Sequence, residues 1–452
     1  MGYDRTDAVM KICVAALITP EAASSGRIRG PERNSMNRFR IEKLPLLAGL
    51  LVAAWPGVSR ASGFLLYEQS ASALGRGSAV VASEDEPAAA FYNPAALPFG
   101  APAGVALSGM LIRPETRFQG DDGVTTNSLR HTWALPALYA HATVTPRVHL
   151  GLAINVPFGM AVAWPKDWPA SHFAVNTNIS VFELNPSVAV RLHDRVALAA
   201  GVRAVRGAVT MSARLPAIMN DALAELDGTT WGAGANLGLL VRLWPERLHL
   251  GATYRSRVRL KFDGQAHFTP EIPEMGAVTQ GARSTITLPD LIVLGALVRA
   301  TTGLDLGAEV SQTRWSTFNR LAVDFDQPNV NLSPVDRSRR NPLSVRLGAQ
   351  YALPRVAVAL RTGFSFDQSS ATAGTISPSG PDANRLGFCV GMGARVGRVG
   401  VDVGYMRAQY LEARANPPPL RSDGFDPAQS LPGRYRSAVN QLALTISVLF
   451  AR

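Results

Sequence analysis

The chain has 452 residues, 47% of them hydrophobic and 17% charged, with 40 Gly and 31 Pro. Soluble domains carry roughly 25% charged residues, so this composition fits many strands and turns, arranged as two or three soluble domains or as one large closed sheet. The formal charge of +11 raises nucleic acid as a partner, but the basic residues are dispersed and nearly all are Arg, with lysine only at Lys11, Lys43, Lys166 and Lys261, so no nucleic-acid face is expected.

Met36 opens a stretch with basic Arg38, Arg40 and Lys43, an apolar run from Leu44 to Val58, and small residues at Ser59 and Ala61. That order reads as a secretory signal peptide over 36–61, cut after Ala61, with 1–35 as an over-extended start. The apolar run is too short for a membrane span and is interrupted by Pro45 and Pro56. Cys13 and Cys389 are too few and too far apart for a disulfide framework or a metal site.

Residues 62–102 are rich in Ala, Ser and Gly and show neither sustained alternation nor a helical stripe. Such a segment suits the inside of a barrel, where the wall supplies partners for its backbone groups. A plug, or hatch, is expected there.

From residue 103 the period is two. Along "LHLGATYRSRVRLKF" (248–262), Leu248, Leu250, Ala252, Tyr254, Ser256, Val258, Leu260 and Phe262 share one face. His249, Gly251, Thr253, Arg255, Arg257, Arg259 and Lys261 share the other. Similar runs occupy 196–212, 304–315, 345–353, 356–367 and 399–410. At the end of the chain Leu442, Leu444, Ile446, Val448 and Phe450 alternate with smaller or polar residues, like the strand that barrel-assembly machinery reads. Six short connections (145–147, 193–195, 245–247, 301–303, 354–355, 397–398) alternate with seven long ones (near 119–130, 164–176, 213–229, 263–283, 318–341, 369–384, 413–434).

Residues 103–452 are therefore expected to form an all-β fold, a 14-stranded antiparallel transmembrane β-barrel. A soluble sandwich or solenoid also alternates, but strands of about 12–15 residues are long for it and no repeat period occurs. The bacterial outer membrane is the expected location, with its lipid and lipopolysaccharide as surroundings and a monomer as the expected state.

Catalytic and metal signatures are missing. Seven histidines occur, but no G-x-S-x-G elbow and no pair of metal ligands at i, i+4 or Cys-x-x-Cys spacing. No enzymatic activity and no cofactor are expected. "GMGARVG" (391–397) lies in a strand pattern with no helix after it, so small lumen-facing residues under the plug are the better reading.

"SGFLLYEQSASALGRGSAVVASEDEPAAAFYNPAAL" (62–97) resembles the mature start of the FadL family, outer-membrane channels for long-chain fatty acids and other hydrophobic compounds that include TodX-like channels for monoaromatic hydrocarbons. The likeness continues in order through "DWPASHFAVNTNISVFELNPSVAVRL" (167–192), "WGAGANLGLLVRL" (231–243), "LGATYRSRVRLKFDG" (250–264), "LPDL" (288–291), "RWSTF" (314–318), "RTGFSFDQS" (361–369) and "PDANR" (381–385).

The resemblance implies a hatch closed by Asn93, Pro94 and Ala95, with its N-terminus at Gly63, Phe64 and Leu65 near a hydrophobic small-molecule ligand. It also implies a lateral opening at a kinked third strand, for which Pro157 and Gly159 are the available residues, and a basic residue for the ligand carboxylate, with Arg214 as candidate. Trp164 and Trp168 are expected to line the ligand's path. So are Leu215, Ile218, Met219, Leu223 and Leu226, whose helical spacing reads as an amphipathic helix over the barrel mouth.

The stripe Arg255, Arg257, Arg259, Lys261 has two readings: a guide for an anionic headgroup, or structural pairing with Glu84, Asp85, Glu86, Glu309 or Asp402. Two departures from the family pattern, Ser171-His172-Phe173 in place of Gly-Arg-Tyr and a short 213–229 loop, leave the substrate open between fatty acid and aromatic hydrocarbon. A barrel that only displays binding loops is the non-transport alternative.

Overall fold

The computed structural model describes residues 63–450 except 84–85, 216–221, 271–278, 319, 322, 327–334, 337–338, 372–374 and 416–430. The expected signal peptide, Glu84, Asp85, Ile218 and Met219 lie outside the described residues.

Fourteen antiparallel strands close on themselves. They are β1 Ala103–Gly120, β2 Trp133–Thr145, β3 Val148–Ala163, β4 Asn176–His193, β5 Val196–Arg214, β6 Leu223–Trp244, β7 (Leu248–Arg255 and Val258–Thr269) and β8 (Thr279–Leu288 and Leu291–Arg299). The remainder are β9 Leu304–Thr313, β10 Leu343–Ala352, β11 Val358–Asp367, β12 Arg385–Val396, β13 Val399–Tyr410 and β14 Gly433–Phe450. Closure comes from β1 on β14, paired from Ala103↔Phe450 to Gly120↔Gly433. Among the described residues no helix is long and apolar enough to cross a membrane; the crossing is made by strands, whose backbone groups pair with one another in a closed sheet.

Alternation drives the wall. On β1, Val105, Leu107 and Leu111 point outward, 40%, 60% and 46% exposed, whereas Ala106, Ser108 and Met110 are buried. The outer face is thus apolar enough for hydrocarbon and the inner face small or polar enough to take a filling.

Residues 63–100 supply that filling. Ser70 caps the helix Ala71–Gly75 by accepting from the Ala73 amide at 3.2 Å, a short helix Ala89–Tyr92 follows, and Pro94 opens the 3-10 turn Pro94–Phe99. The segment is anchored to the wall: the Ala71 amide donates to Thr445 Oγ1 at 2.9 Å, Val81 N to Glu309 Oε2 at 3.2 Å, and Tyr139 Oη to the Gln69 carbonyl at 2.9 Å. Glycines let the two approach, since a Cβ on Gly391 would stand 2.9 Å from Gly75 Cα.

Two expectations need correction. β7 is not one continuous amphipathic strand. Between the pairs Asn236↔Arg255 and Thr229↔Asp263, β7 spends one residue more than β6, and this bulge at Ser256–Arg257 swaps the faces. Before it His249 and Arg255 point inward; after it Val258, Leu260 and Phe262 do, and Arg259 and Lys261 are exposed. The bulge is held by Ser256, whose amide donates to the Ala235 carbonyl and whose hydroxyl accepts from the Ala235 amide, both at 2.8 Å, while its carbonyl accepts from Arg203 Nη1 at 2.6 Å.

The amphipathic helix is the second correction. β5 runs to Arg214 and β6 begins at Leu223, so Leu223 and Leu226 are strand residues. Alternation at period two continues across 223–229, and pairing with β5 and β7 outweighs the helical spacing of the leucines.

Candidate ligand cavity and lateral gap

β2 and β3 pair only from Thr145↔Val148 to Leu138↔Ile154. Beyond that point Trp133–Ala137 of β2 remains paired with β1, from Ile112 to Ser108, while β3 continues against β4 as far as Ala163↔Asn176. The strands part because β3 bulges: Val156 and Pro157 together oppose the single Phe182 between Asn155↔Glu183 and Phe158↔Val181. Pro157 has no amide hydrogen for a ladder. A gap therefore opens in the wall between β2 and β3.

The N-terminus of the interior segment steps into the freed edge. Leu66 N donates to the Pro157 carbonyl at 2.9 Å, Gly159 N donates to the Phe64 carbonyl at 3.0 Å, and Leu65 bridges Phe158. Phe64 packs on Trp315 with ring centroids 4.5 Å apart and meets Phe158 and Phe318 at 6.1 Å. Gly63 is required there: its φ is +67° and a Cβ would lie 2.6 Å from the Trp315 ring.

One cavity joins these parts. It is lined by Gly63–Leu66, by Trp133 and Leu135 on one edge of the gap, and by Val156, Gly159 and Met160 on the other. Ile112 and Val439 add to the apolar lining, and Arg339, Asp382, Arg385 and Tyr410 supply its polar groups. The surface is mainly apolar with a few convergent polar groups, the usual chemistry of a small-molecule site.

The polar groups belong to a network of buried ion pairs. Arg339 Nη1 lies 3.3 Å from Asp382 Oδ2 and donates to Ser370 Oγ at 2.7 Å; burial lowers the Arg339 pKa, and the Asp382 charge offsets part of that. Arg385 Nη2 is 2.7 Å from Asp367 Oδ2 and 3.3 Å from Glu68 Oε1, and Arg346 Nη2 is 3.1 Å from Asp367 Oδ1. Glu68 belongs to the interior segment, so this network ties that segment to β11 and β12.

Asn93 is the second tie. Its Oδ1 accepts from the Ala95 amide at 3.2 Å, an Asx turn that starts the Pro94 helix. Its Nδ2 donates to the Val81 carbonyl at 2.8 Å and to the Leu239 carbonyl of β6 at 3.0 Å. Gly238 makes room, since a Cβ there would stand 2.5 Å from Asn93 Oδ1.

Other sequence candidates lie elsewhere. Arg214 does not line the cavity; its Nε donates to the Lys166 carbonyl at 2.8 Å at the long-loop end. Leu215 and Leu226 pack with Phe268 and Phe325 in a separate cluster. Trp164 and Trp168 are fully buried and stacked, 4.2 Å apart and 8° from parallel, with Phe118 and Tyr435 beside them, and reach the cavity only through their neighbours Val162 and Tyr410.

Of the basic stripe, Arg255 is buried in an ion pair with Glu183, which also holds Arg203 at 2.7 Å, and its guanidinium lies 4.6 Å from the Phe91 ring centroid. Arg257 is half exposed, 3.5 Å from Asp290. Glu86 pairs with Arg76, Glu309 with Arg346, and Asp402 with Arg361. Arg339 and Arg385, the guanidinium groups that border the cavity, were not singled out by sequence. The "PDANR" run that contains Arg385 was the only signal.

Comparison with known proteins agrees with this architecture. The family described as outer membrane protein transport protein (OMPP1/FadL/TodX) matches residues 51–450. Outer membrane protein P1 of Haemophilus influenzae is 26% identical over 82% of this chain and 89% of that protein, and a long-chain fatty acid transport protein of Escherichia coli is 26% identical over 78% and 88%. Among solved structures, a Pseudomonas aeruginosa FadL homologue superimposes with a TM-score of 0.77 at 21% identity, covering 86% of this chain and all of that one. The Pseudomonas putida toluene transporter TodX gives 0.65 at 15% identity, covering 87% and all. The chain belongs to the OMPP1/FadL/TodX family of outer-membrane transport proteins, and is a transport channel for hydrophobic compounds rather than an enzyme.

Proposed function

We propose that the transported compound is a long-chain fatty acid. Its alkyl chain occupies the apolar part of the cavity, its carboxylate meets Arg339 or Arg385, and it leaves sideways through the gap between β2 and β3 into the bilayer. The observation that carries this reading is the cavity itself, whose lining combines the two guanidinium groups of Arg339 and Arg385 with both edges of the parted strands. Arg is suited to a carboxylate because its fork donates two parallel hydrogen bonds.

In this reading the interior segment is the gate. Phe64, Leu65 and Leu66 line the cavity beside the gap, tied to β3 by two backbone hydrogen bonds and to Trp315 by ring contacts. Ligand that replaces the Phe64 ring contacts frees that edge. The lipopolysaccharide leaflet is polar, so capture falls to the long loops and delivery to the membrane interior falls to the gap.

A second reading, an uncharged monoaromatic hydrocarbon, is favoured by one observation: Arg339 and Arg385 already face carboxylates, so a neutral ligand enters without disturbing a charge pair. Uptake of labelled oleate and labelled toluene by cells carrying the protein, measured side by side, separates the two. Oleate uptake above that of cells without the protein supports the fatty-acid assignment; uptake of toluene alone overturns it in favour of the second.

A further inference from the structure

On the outside of β13, β14 and β1, lipid-facing residues give way to arginine within a few positions. Leu111 is the last outward apolar side chain of β1 before Arg113, Glu115 and Arg117. Its partner across the ladder, Leu442 of β14, is followed by Asn440, Arg436 and Arg434. On β13 the step runs from Tyr405 to Arg407, whose Nη1 donates to Asn440 Oδ1 at 3.0 Å.

The register then sets like charges side by side: Arg117 faces Arg436, and Arg434 faces Arg414 of the short strand Ala413–Ala415. Like charges directly opposite one another weaken a ladder. Three carboxylates answer six arginines: Glu115 at 3.7 Å from Arg113, Glu412 at 3.4 and 2.9 Å from Arg434 and Arg436, and Asp121 at 3.3 Å from Arg414. Arg117 has no acidic partner among the described residues. These side chains are open, with Arg414 57% and Arg436 63% exposed.

An exposed surplus of positive charge directly beyond the hydrocarbon band stands at the depth of the outer-leaflet headgroups. Whatever neutralises it there is anionic and carries acyl chains to cover Leu107, Leu111, Leu442 and Leu444 below. We propose that this arginine belt binds a phosphorylated glycolipid of the outer leaflet, the lipid A portion of lipopolysaccharide, through its phosphates. Each guanidinium fork matches two phosphate oxygens, and a phosphate set between Arg117 and Arg436 turns their repulsion into a shared attraction. The proposal concerns the outer wall and does not depend on the ligand assigned to the cavity.

The test titrates labelled bisphosphorylated lipid A onto the full barrel in nanodiscs of neutral phospholipid. Comparison is made with the triple variant Arg117→Gln/Arg434→Gln/Arg436→Gln and with the double variant Arg259→Gln/Lys261→Gln, which removes outward charges from β7. The triple variant is expected to bind about tenfold more weakly or worse, the β7 variant to bind as the unmodified protein does, and dephosphorylated lipid A to bind as poorly as the triple variant. Equal binding of dephosphorylated lipid A, unchanged binding by the triple variant, or equal loss in the β7 variant would each overturn the assignment. A folded barrel is verified by heat-modifiable gel mobility. If the triple variant fails that check, Arg117→Gln alone, which has no ion pair to lose, must still weaken binding.

Discussion

Leu66 donates its backbone amide to the carbonyl of Pro157, 2.9 Å away, and this bond joins the interior segment to the edge of β3 that β2 leaves unpaired. Pro157 lies in the bulge that separates β3 from β2, so the residue that breaks the ladder also supplies the acceptor that docks the segment. Opening in the wall and closure by the segment are therefore built at the same place.

Gly159 sits beside that bond, and a Cβ on it would stand 2.9 Å from Leu66 Cδ1. Gly159→Leu places a side chain in the gap where Leu66 now lies and also narrows the cavity. Oleate uptake is expected to fall at least several-fold while heat-modifiable gel mobility stays normal. Full uptake by the folded variant would remove the gap from the route.

Asn93→Ala deletes a side chain that bonds at once to the segment, through the Val81 carbonyl, and to β6, through the Leu239 carbonyl. Leaving the buried Val81 carbonyl without that donor costs about 1–3 kcal/mol, less where a water replaces the amide, while the Leu239 carbonyl stays within strands paired on both sides. The barrel ladders are untouched, so the loss falls on the segment. Planar-bilayer recordings are expected to show a raised or flickering conductance compared with the unmodified channel; a quiet trace would mean that Asn93 is not needed to hold the plug.

Arg339→Gln distinguishes a carboxylate ligand from a neutral one. Asp382 does not become an orphan in this variant, because it also accepts from the Ser370 amide at 3.0 Å and the Ser370 hydroxyl at 2.8 Å. A lost charge-assisted hydrogen bond is worth roughly 1.5–3 kcal/mol, about tenfold or more in affinity. Oleate binding to detergent-solubilised protein, followed by fluorescence displacement, is expected to weaken by that factor, with oleyl alcohol unaffected. If the acid and the alcohol lose affinity equally, Arg339 acts through shape rather than charge.

Much of the wall was legible because a membrane strand has to alternate: Val105, Leu107 and Leu111 announce their face, and the turns between hydrophobic runs set the count of fourteen. The flip at Ser256–Arg257 was not legible. An inserted residue leaves alternation intact in the sequence and changes only which face it belongs to, and the partner count on β6 that exposes the bulge is a tertiary fact. Phe64, Pro157 and Gly159 were named through family resemblance, and the structure sets Phe64 against the strand that carries the other two. Arg339 and Arg385 were missed because the loop before β10 and the start of β12 are brought together by the pairing of β10, β11 and β12, with no shared period. Leu215, Leu223 and Leu226 misled in the opposite sense, since helical spacing over so short a stretch cannot compete with strand pairing on both sides.

Asp367 supports two buried arginines at once. Its two oxygens hold Arg346 at 3.1 Å and Arg385 at 2.7 Å, and all three side chains are at most 6% exposed. Arg346 keeps Glu309 at 3.8 Å and Arg385 keeps Glu68 at 3.3 Å, longer contacts that replace only part of what is lost. Removing one partner of a buried pair costs about 3–5 kcal/mol because a charge is left uncompensated; here two guanidinium groups lose their nearest carboxylate together. Asp367→Ala is expected to lower the temperature at which the barrel shifts from folded to unfolded gel mobility. Asp367→Asn should lower it nearly as much, since it keeps the shape and removes the charge. Glu68→Gln should lower it little, because Glu68 reaches only one arginine and belongs to the interior segment rather than to the wall. An Asn variant as stable as the unmodified protein would show that hydrogen bonding alone, without charge pairing, holds β10, β11 and β12 together at this point.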